Sequence, residues 1–173
     1  MLYNEVPSFI YLLKLTGRKT STNIGVKITI PDEIKEWAFW LSSGILGEEK
    51  IPLCPWARKS ILEGSVEFYV EEDPGELIPF PEGINVRIVS FEGRNHSDVI
   101  EIRNRCNKIS KDWIFLDSHP DDEEIIGGIK TVFKIPLILI QPRKDLEAAR
   151  EVLKRGNYYS YWNPSVLAEI LSL

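Results

Sequence analysis

Hydrophobic positions along the chain switch between two spacings, and the switches mark out the elements. Ser8 to Leu15 and Ile24 to Ile30 are rich in Ile, Val, Tyr and Leu, and the polar stretch between them carries Gly17; this pattern predicts two strands or a loose hairpin. From Pro31 the spacing lengthens: Ile34, Trp37, Ala38 and Leu41 fall at i, i+3, i+4 and i+7, a stripe on a helix begun by Asp32 and ended by Gly44. Two prolines interrupt the chain at Pro52 and Pro55, and a short helix is expected from Pro55 to Leu62, closed by Gly64. Ser65 to Val70 and Ile84 to Phe91 alternate, the period of half-buried strands, with a Pro- and Gly-bearing loop from Glu71 to Gly83 between them. Asn95 or Ser97 can cap a helix carrying Val99, Ile102, Cys106 and Ile109. Asp112 to Asp117 and Phe133 to Gln141 are continuous apolar runs, the pattern of strands covered on both faces. Arg143 to Arg155 has the clearest helical stripe, and Asn163-Pro164 opens a last helix.

Strands and helices interleave, so the expected fold is α/β (or α+β): a mixed sheet covered by helices, with a strand-helix-strand unit inside Ile84 to Ile140. The 173 residues, 43% of them hydrophobic, suffice for a single globular domain spanning 1–173, without disulfides or structural metal. A net charge of -5 with no clustered Lys and Arg argues against nucleic acid as a partner. No apolar run approaches the ~20 residues of a membrane-spanning helix, and no charged-then-apolar leader opens the sequence. With only two cysteines, Cys54 and Cys106, the expected location is cytoplasmic.

Cys54 stands at the expected start of a helix, where free amides and the helix dipole favour thiolate over thiol, and Arg58 and Lys59 one turn on would add positive charge. Trp56 offers a flat surface to a ligand. Cys54-Pro-Trp-Ala57 resembles the Cys-Pro-x-Cys turn of glutaredoxins and other thioredoxin-like proteins. Ala57 replaces the resolving cysteine, which excludes dithiol exchange within the motif. The competing reading makes Cys54 a small packed residue at a tight turn, and Cys106, on an apolar helix face, a core residue. Trp37 with Leu53-Cys-Pro-Trp-Ala57 also resembles a group of uncharacterised small bacterial proteins that carry Leu-Cys-Pro-Phe-Ala after a Trp-bearing helix; that resemblance brings no reaction with it.

Asp117-Ser-His-Pro-Asp-Asp-Glu-Glu124 places an imidazole and several carboxylates at the end of an apolar strand, a composition suited to a divalent metal or to acid-base work. His119-Pro-Asp-Asp-Glu123 followed by Gly127-Gly128 resembles the signature of the LmbE or PIG-L family of zinc-dependent N-deacetylases. The resemblance implies His119 and Asp122 as metal ligands and Asp121 as general base. It covers about ten residues, and that family's third ligand, a downstream histidine, has no counterpart here. The other histidine, His96, lies upstream. The competing reading is a solvated acidic turn behind a histidine that ends a strand.

Two function classes follow. One is a small enzyme acting on a small-molecule ligand by nucleophilic or metal-assisted chemistry. Cys54, His119 and Asp121 would be its catalytic residues, Trp56, Arg58 and Lys59 its binding residues, and zinc or iron its metal on His119, Asp122 and Cys54 or His96. The other is a non-catalytic binding or assembly protein, including a homo-oligomer, in which both turns are structural. The segment Gly156-Asn-Tyr-Tyr-Ser-Tyr-Trp162 is then a flap over the core or a patch facing a ligand or partner.

Overall fold

The computed structural model describes residues 28–47, 50–122 and 125–173. The expected strand at 8–15 and most of that at 24–30 lie outside the described residues; within them, Ile28 forms an isolated antiparallel bridge to Phe68.

Helix α1 (Asp32–Ser43) matches its predicted stripe. Ile34, Ala38 and Leu41 are its buried residues, Asp32 and Glu33 place negative charge in the first turn, and the Gly44 amide closes the last turn on the Trp40 carbonyl. Strands β1 (Ile45–Leu46) and β2 (Ile51–Pro52) form a small antiparallel pair. Helix α2 is shorter than expected, Ala57–Leu62. Next come β3 (Val66–Val70), a 3-10 turn at Pro74–Leu77, β4 (Val86–Ser90), α3 (His96–Ile109) and β5 (Trp113–Ser118). A two-stranded hairpin, β6 (Ile125–Ile126) and β7 (Ile129–Lys130), leads to β8 (Leu137–Pro142), α4 (Arg143–Lys154), a 3-10 turn at Tyr158–Tyr161 and α5 (Pro164–Ser172).

The main sheet has the order β3-β4-β8-β5. β3 and β4 are parallel, and β8 runs antiparallel to both of its neighbours, which leaves β4 and β5 pointing the same way. The chain therefore passes from β4 through α3 to β5, with β8 inserted later between them. This mixed sheet covered by helices is the expected α/β architecture.

Both faces of the sheet are packed. Tyr69, Val89, Phe115, Ile138 and Ile140 meet Val99 and Cys106 of α3 on one face, while Val66, Phe68, Ile88 and Leu137 meet Ile34 of α1 and Phe133 on the other. The half-buried alternation expected for β3 and β4 is thus corrected: Glu67, Tyr69, Arg87 and Val89 are buried as well. Burial of the two charges is possible because they answer each other, Arg87 Nε lying 2.6 Å from Glu67 Oε2, with the Tyr69 hydroxyl donating to the same carboxylate oxygen.

A third cluster joins Leu41, Leu46, Leu53, Ile126 and Tyr158, knitting the two small hairpins to the aromatic segment after α4. Tyr158 is the buried anchor, its hydroxyl donating to the Leu53 carbonyl. Among the described residues no helix is long and apolar enough to cross a membrane.

Candidate metal centre

The carboxyl ends of β4 and β5 and the amino end of α3 lie together, the place where open α/β sheets usually hold ligands. Asn95 caps α3 by accepting from the Asp98 amide at 2.9 Å, which puts His96 at the first helical position. Asp117 leaves the same end of β5 on the α3 side. The chain then turns sharply: the Asp122 amide donates to the His119 carbonyl at 2.9 Å, and the His119 amide donates to Asp122 Oδ2 at 2.8 Å. This reciprocal pair fixes the Asp122 carboxylate on the strand end.

His96, Asp117 and Asp122 thereby present one ligand atom each, all within 4.8 Å of one another. His96 Nε2 is 2.5 Å from Asp122 Oδ1 and 3.9 Å from Asp117 Oδ2. Ligand bonds of 2.0–2.2 Å at 90–109° need donor separations of about 3–3.5 Å. The two observed distances lie on either side of that span, so holding a divalent ion would require the His96 ring to move away from Asp122 and toward Asp117 by about half an ångström or more. The other oxygen of each carboxylate is held by the fold: Asp117 Oδ1 accepts from Arg103 Nη1 at 2.7 Å, and Asp122 Oδ2 takes the His119 amide. Arg103 also reaches Glu169 Oε1 of α5 at 2.9 Å. Such outer partners orient ligands and set their basicity.

The sequence-named residues fall differently. Asp122 belongs to the ligand group. His119 is buried and stacks on His96, with ring centroids 4.9 Å apart and planes 17° from parallel. Its Nδ1 accepts from the Asp121 amide at 3.1 Å, so Nε2 carries the proton and donates to the Arg94 carbonyl at 3.2 Å. Both ring nitrogens are therefore engaged within the fold, and the imidazole offered to an ion is that of His96. The Asp121 side chain is 81% exposed, with Oδ2 3.7 Å from His119 Nδ1, and does not belong to the ligand group.

The cysteine turn needs a larger correction. Helix α2 starts at Ala57 with Trp56 in the capping position, because Pro55 and Trp56 form a turn ahead of it, and Cys54 is not the N-cap. Instead the Cys54 amide donates to the Leu41 carbonyl at 2.8 Å and the Ser42 hydroxyl donates to the Cys54 carbonyl at 3.0 Å, tying the turn to α1. Arg58 lies over the Phe39 ring and Lys59 pairs with Glu63 at 3.8 Å. Cys106 is buried in the core; burial, with Asp73 adding to it, pushes its thiol up from the ordinary value.

A cavity of about 720 Å³ joins these regions. His96, Asp117 and Asp122 line it, and so do Cys54 and Trp56, whereas Arg58, Lys59, His119 and Asp121 do not. The two remote turns thus share one hollow, through Cys54 on one side and Asp122 rather than His119 on the other.

The chain matches no known family, curated protein or solved structure. Arg103 becomes a functional candidate only in space, lying 14 residues from Asp117 and 66 from Glu169 in sequence, whereas the sequence itself names His96 as a possible ligand and Asp117 as part of the acidic cluster. The one available signal was a histidine directly after a capping asparagine, with an aspartate ending the next apolar strand.

Proposed function

We propose that the protein is a small enzyme that binds a divalent metal through His96, Asp117 and Asp122 and acts with it on a small molecule held in the adjoining cavity. The observation that carries this reading is the division of labour at the two carboxylates: one oxygen of each is committed to the fold, and the other faces His96 Nε2. One imidazole and two carboxylates suit zinc, iron or manganese, and three protein ligands leave positions open for water and substrate. An ion there supplies a Lewis acid and a bound water of lowered pKa, which favours hydrolytic chemistry. In this reading Arg103 and His119 are positioning residues, and Cys54 belongs to the cavity wall.

A second reading is favoured by the Arg103–Asp117 bond. With Glu169 it makes a charge network that can hold α3, β5 and α5 together in a non-catalytic binding protein. Calorimetric titration of chelator-treated protein with zinc and with manganese separates the two. The metal reading expects one ion per chain, with affinity lost at least tenfold in Asp122→Asn and unchanged in Asp121→Asn. Absence of saturable binding, or equal binding by Asp122→Asn, leaves the network reading.

A further inference from the structure

The described residues bury three arginines, Arg87, Arg103 and Arg150, each at most 8% exposed. Two are answered by carboxylates, Arg87 by Glu67 and Arg103 by Asp117 and Glu169. Arg150 is not: among the described residues its hydrogen bond is from Nη2 to the Ile170 carbonyl at 2.7 Å, and no carboxylate lies within ion-pair reach. A guanidinium carries five donors and stays protonated at neutral pH. Burial pulls its pKa down from the ordinary arginine value; Tyr159 and Glu147 act against that shift and Arg143 with it.

Arg150 lines the cavity. So does Trp162, whose indole Nε1 is buried without a hydrogen-bond partner among the described residues. Such orphaned donors are uncommon and call for a specific acceptor. Between them in the chain is Tyr159, also in the lining, with its ring 6.1 Å from that of Trp162. Burial raises the Tyr159 hydroxyl's pKa, so it remains a neutral donor, and it is near enough to Arg150 to feel that charge. One wall, built by α4 and the aromatic segment after it, therefore offers a cation and neutral donors. The remaining lining is largely hydrocarbon, including Leu41, Ile88, Leu116 and Leu139; its other charged members are Asp145 and the network of Arg103, Asp117, Asp122 and Glu169.

We infer that this cavity takes an organic monocarboxylate with an apolar body, the carboxylate lying between the Arg150 guanidinium and the Trp162 indole N–H. Arg103, the other arginine of the lining, is already answered by Asp117 and Glu169, so Arg150 is the cation left to meet one negative charge, which favours a carboxylate over a dianionic phosphate. The volume lies in the range of small-molecule sites. The inference names the ligand class for the cavity of the proposed function, but it makes no use of the ion.

The test is calorimetric binding of decanoate to the full chain in the presence of EDTA, compared with 1-decanol, so that loss of the metal reading leaves this one standing. Decanoate is expected to bind with one site per chain and at least about tenfold more tightly than the alcohol. Arg150→Met keeps the apolar stem and is expected to erase that preference, while Arg150→Lys retains part of it. Trp162→Phe, which removes the indole donor together with the pyrrole half of the ring, is expected to weaken decanoate several-fold and to affect decanol less. Equal affinity for acid and alcohol, undiminished preference in Arg150→Met, or no saturable decanoate binding would each overturn the inference. Should Arg150→Met fail to fold, the acid–alcohol comparison on the unaltered chain and the Trp162→Phe variant decide it.

Discussion

At Asp122 a single carboxylate is divided between fold and site, and the same division recurs at Asp117. Arg103 holds Asp117 in a nearly dry position, the two side chains being 9% and 11% exposed. Replacing Arg103 by Met leaves that carboxylate without its cation, and a pair buried to this degree costs about 3 kcal/mol to break. An ion beside His96 would return positive charge to the same carboxylate. Urea unfolding of Arg103→Met should therefore show a loss of about that size without metal and a larger gain from zinc than the unaltered protein shows. A variant as stable as the parent contradicts the burial argument, and equal zinc gains contradict the shared role of Asp117. None of this was legible residue by residue. Asp117 and His96 could be named as bearers of chemistry, but which oxygen faces which ring depends on contacts made across the fold. Arg150 was invisible for the same reason: on the helical stripe of 143–155 it is one charged residue among many, and only packing shows it buried.

Elements were more readable, since their signals are local. The stripe Ile34, Trp37, Ala38, Leu41 gave α1 its bounds to within a residue, and Asn95 capped α3 as expected. Failures occurred where a turn intervened. Pro55 marked the approach to α2 but not its first residue, and with that shift the helix-dipole argument for Cys54 falls away. Gly127-Gly128, met in sequence as part of a deacetylase-like signature, has a structural use here. The pair forms the two-residue turn of the β6–β7 hairpin with φ of +57° and +83°, the left-handed region that such turns demand. The Gly127 amide also donates to the Tyr161 carbonyl at 2.8 Å, docking the hairpin on the aromatic segment. A Cβ at Gly127 would fall 2.6 Å from Leu46 Cδ2, whereas one at Gly128 meets nothing within 4 Å. Gly127→Ala should thus cost more than Gly128→Ala, about 2–3 kcal/mol against about 1, measured by denaturant unfolding. Equal costs would show that backbone strain alone, without the close approach to Leu46, sets the requirement.

Across the whole molecule, the layered arrangement follows from covering both faces of a four-stranded sheet, and it has a titration consequence. Burial raises the pKa of Cys106, of Tyr69, where a hydrogen bond to Glu67 adds to it, and of Tyr159. In each case the native state keeps a proton that the unfolded chain gives up. The unfolded chain therefore binds fewer protons once pH passes the ordinary thiol value near ~8.5, and stability falls with rising pH from there and again beyond ~10. Thermal melting from pH 7 to 10.5 should show this decline, and Cys106→Ala should remove its lower part while lowering the melting temperature overall. A flat profile would contradict the burial of these groups. The α/β class was legible because interleaved periods state it directly. The insertion of β8 between β4 and β5 was not, since continuous apolar runs mark central strands without ordering them. That insertion leaves β5 at the sheet edge with Asp117 beside α3, where the cavity and the ligand group meet.

The metal centre is tested most directly by anomalous diffraction from a crystal grown with zinc. The account predicts one strong peak about 2.0–2.2 Å from His96 Nε2, an Asp117 carboxylate oxygen and Asp122 Oδ1, with the His119 ring still bonded to Arg94 and Asp121. No peak among these three side chains, or a peak on His119 or Cys54 instead, would contradict it.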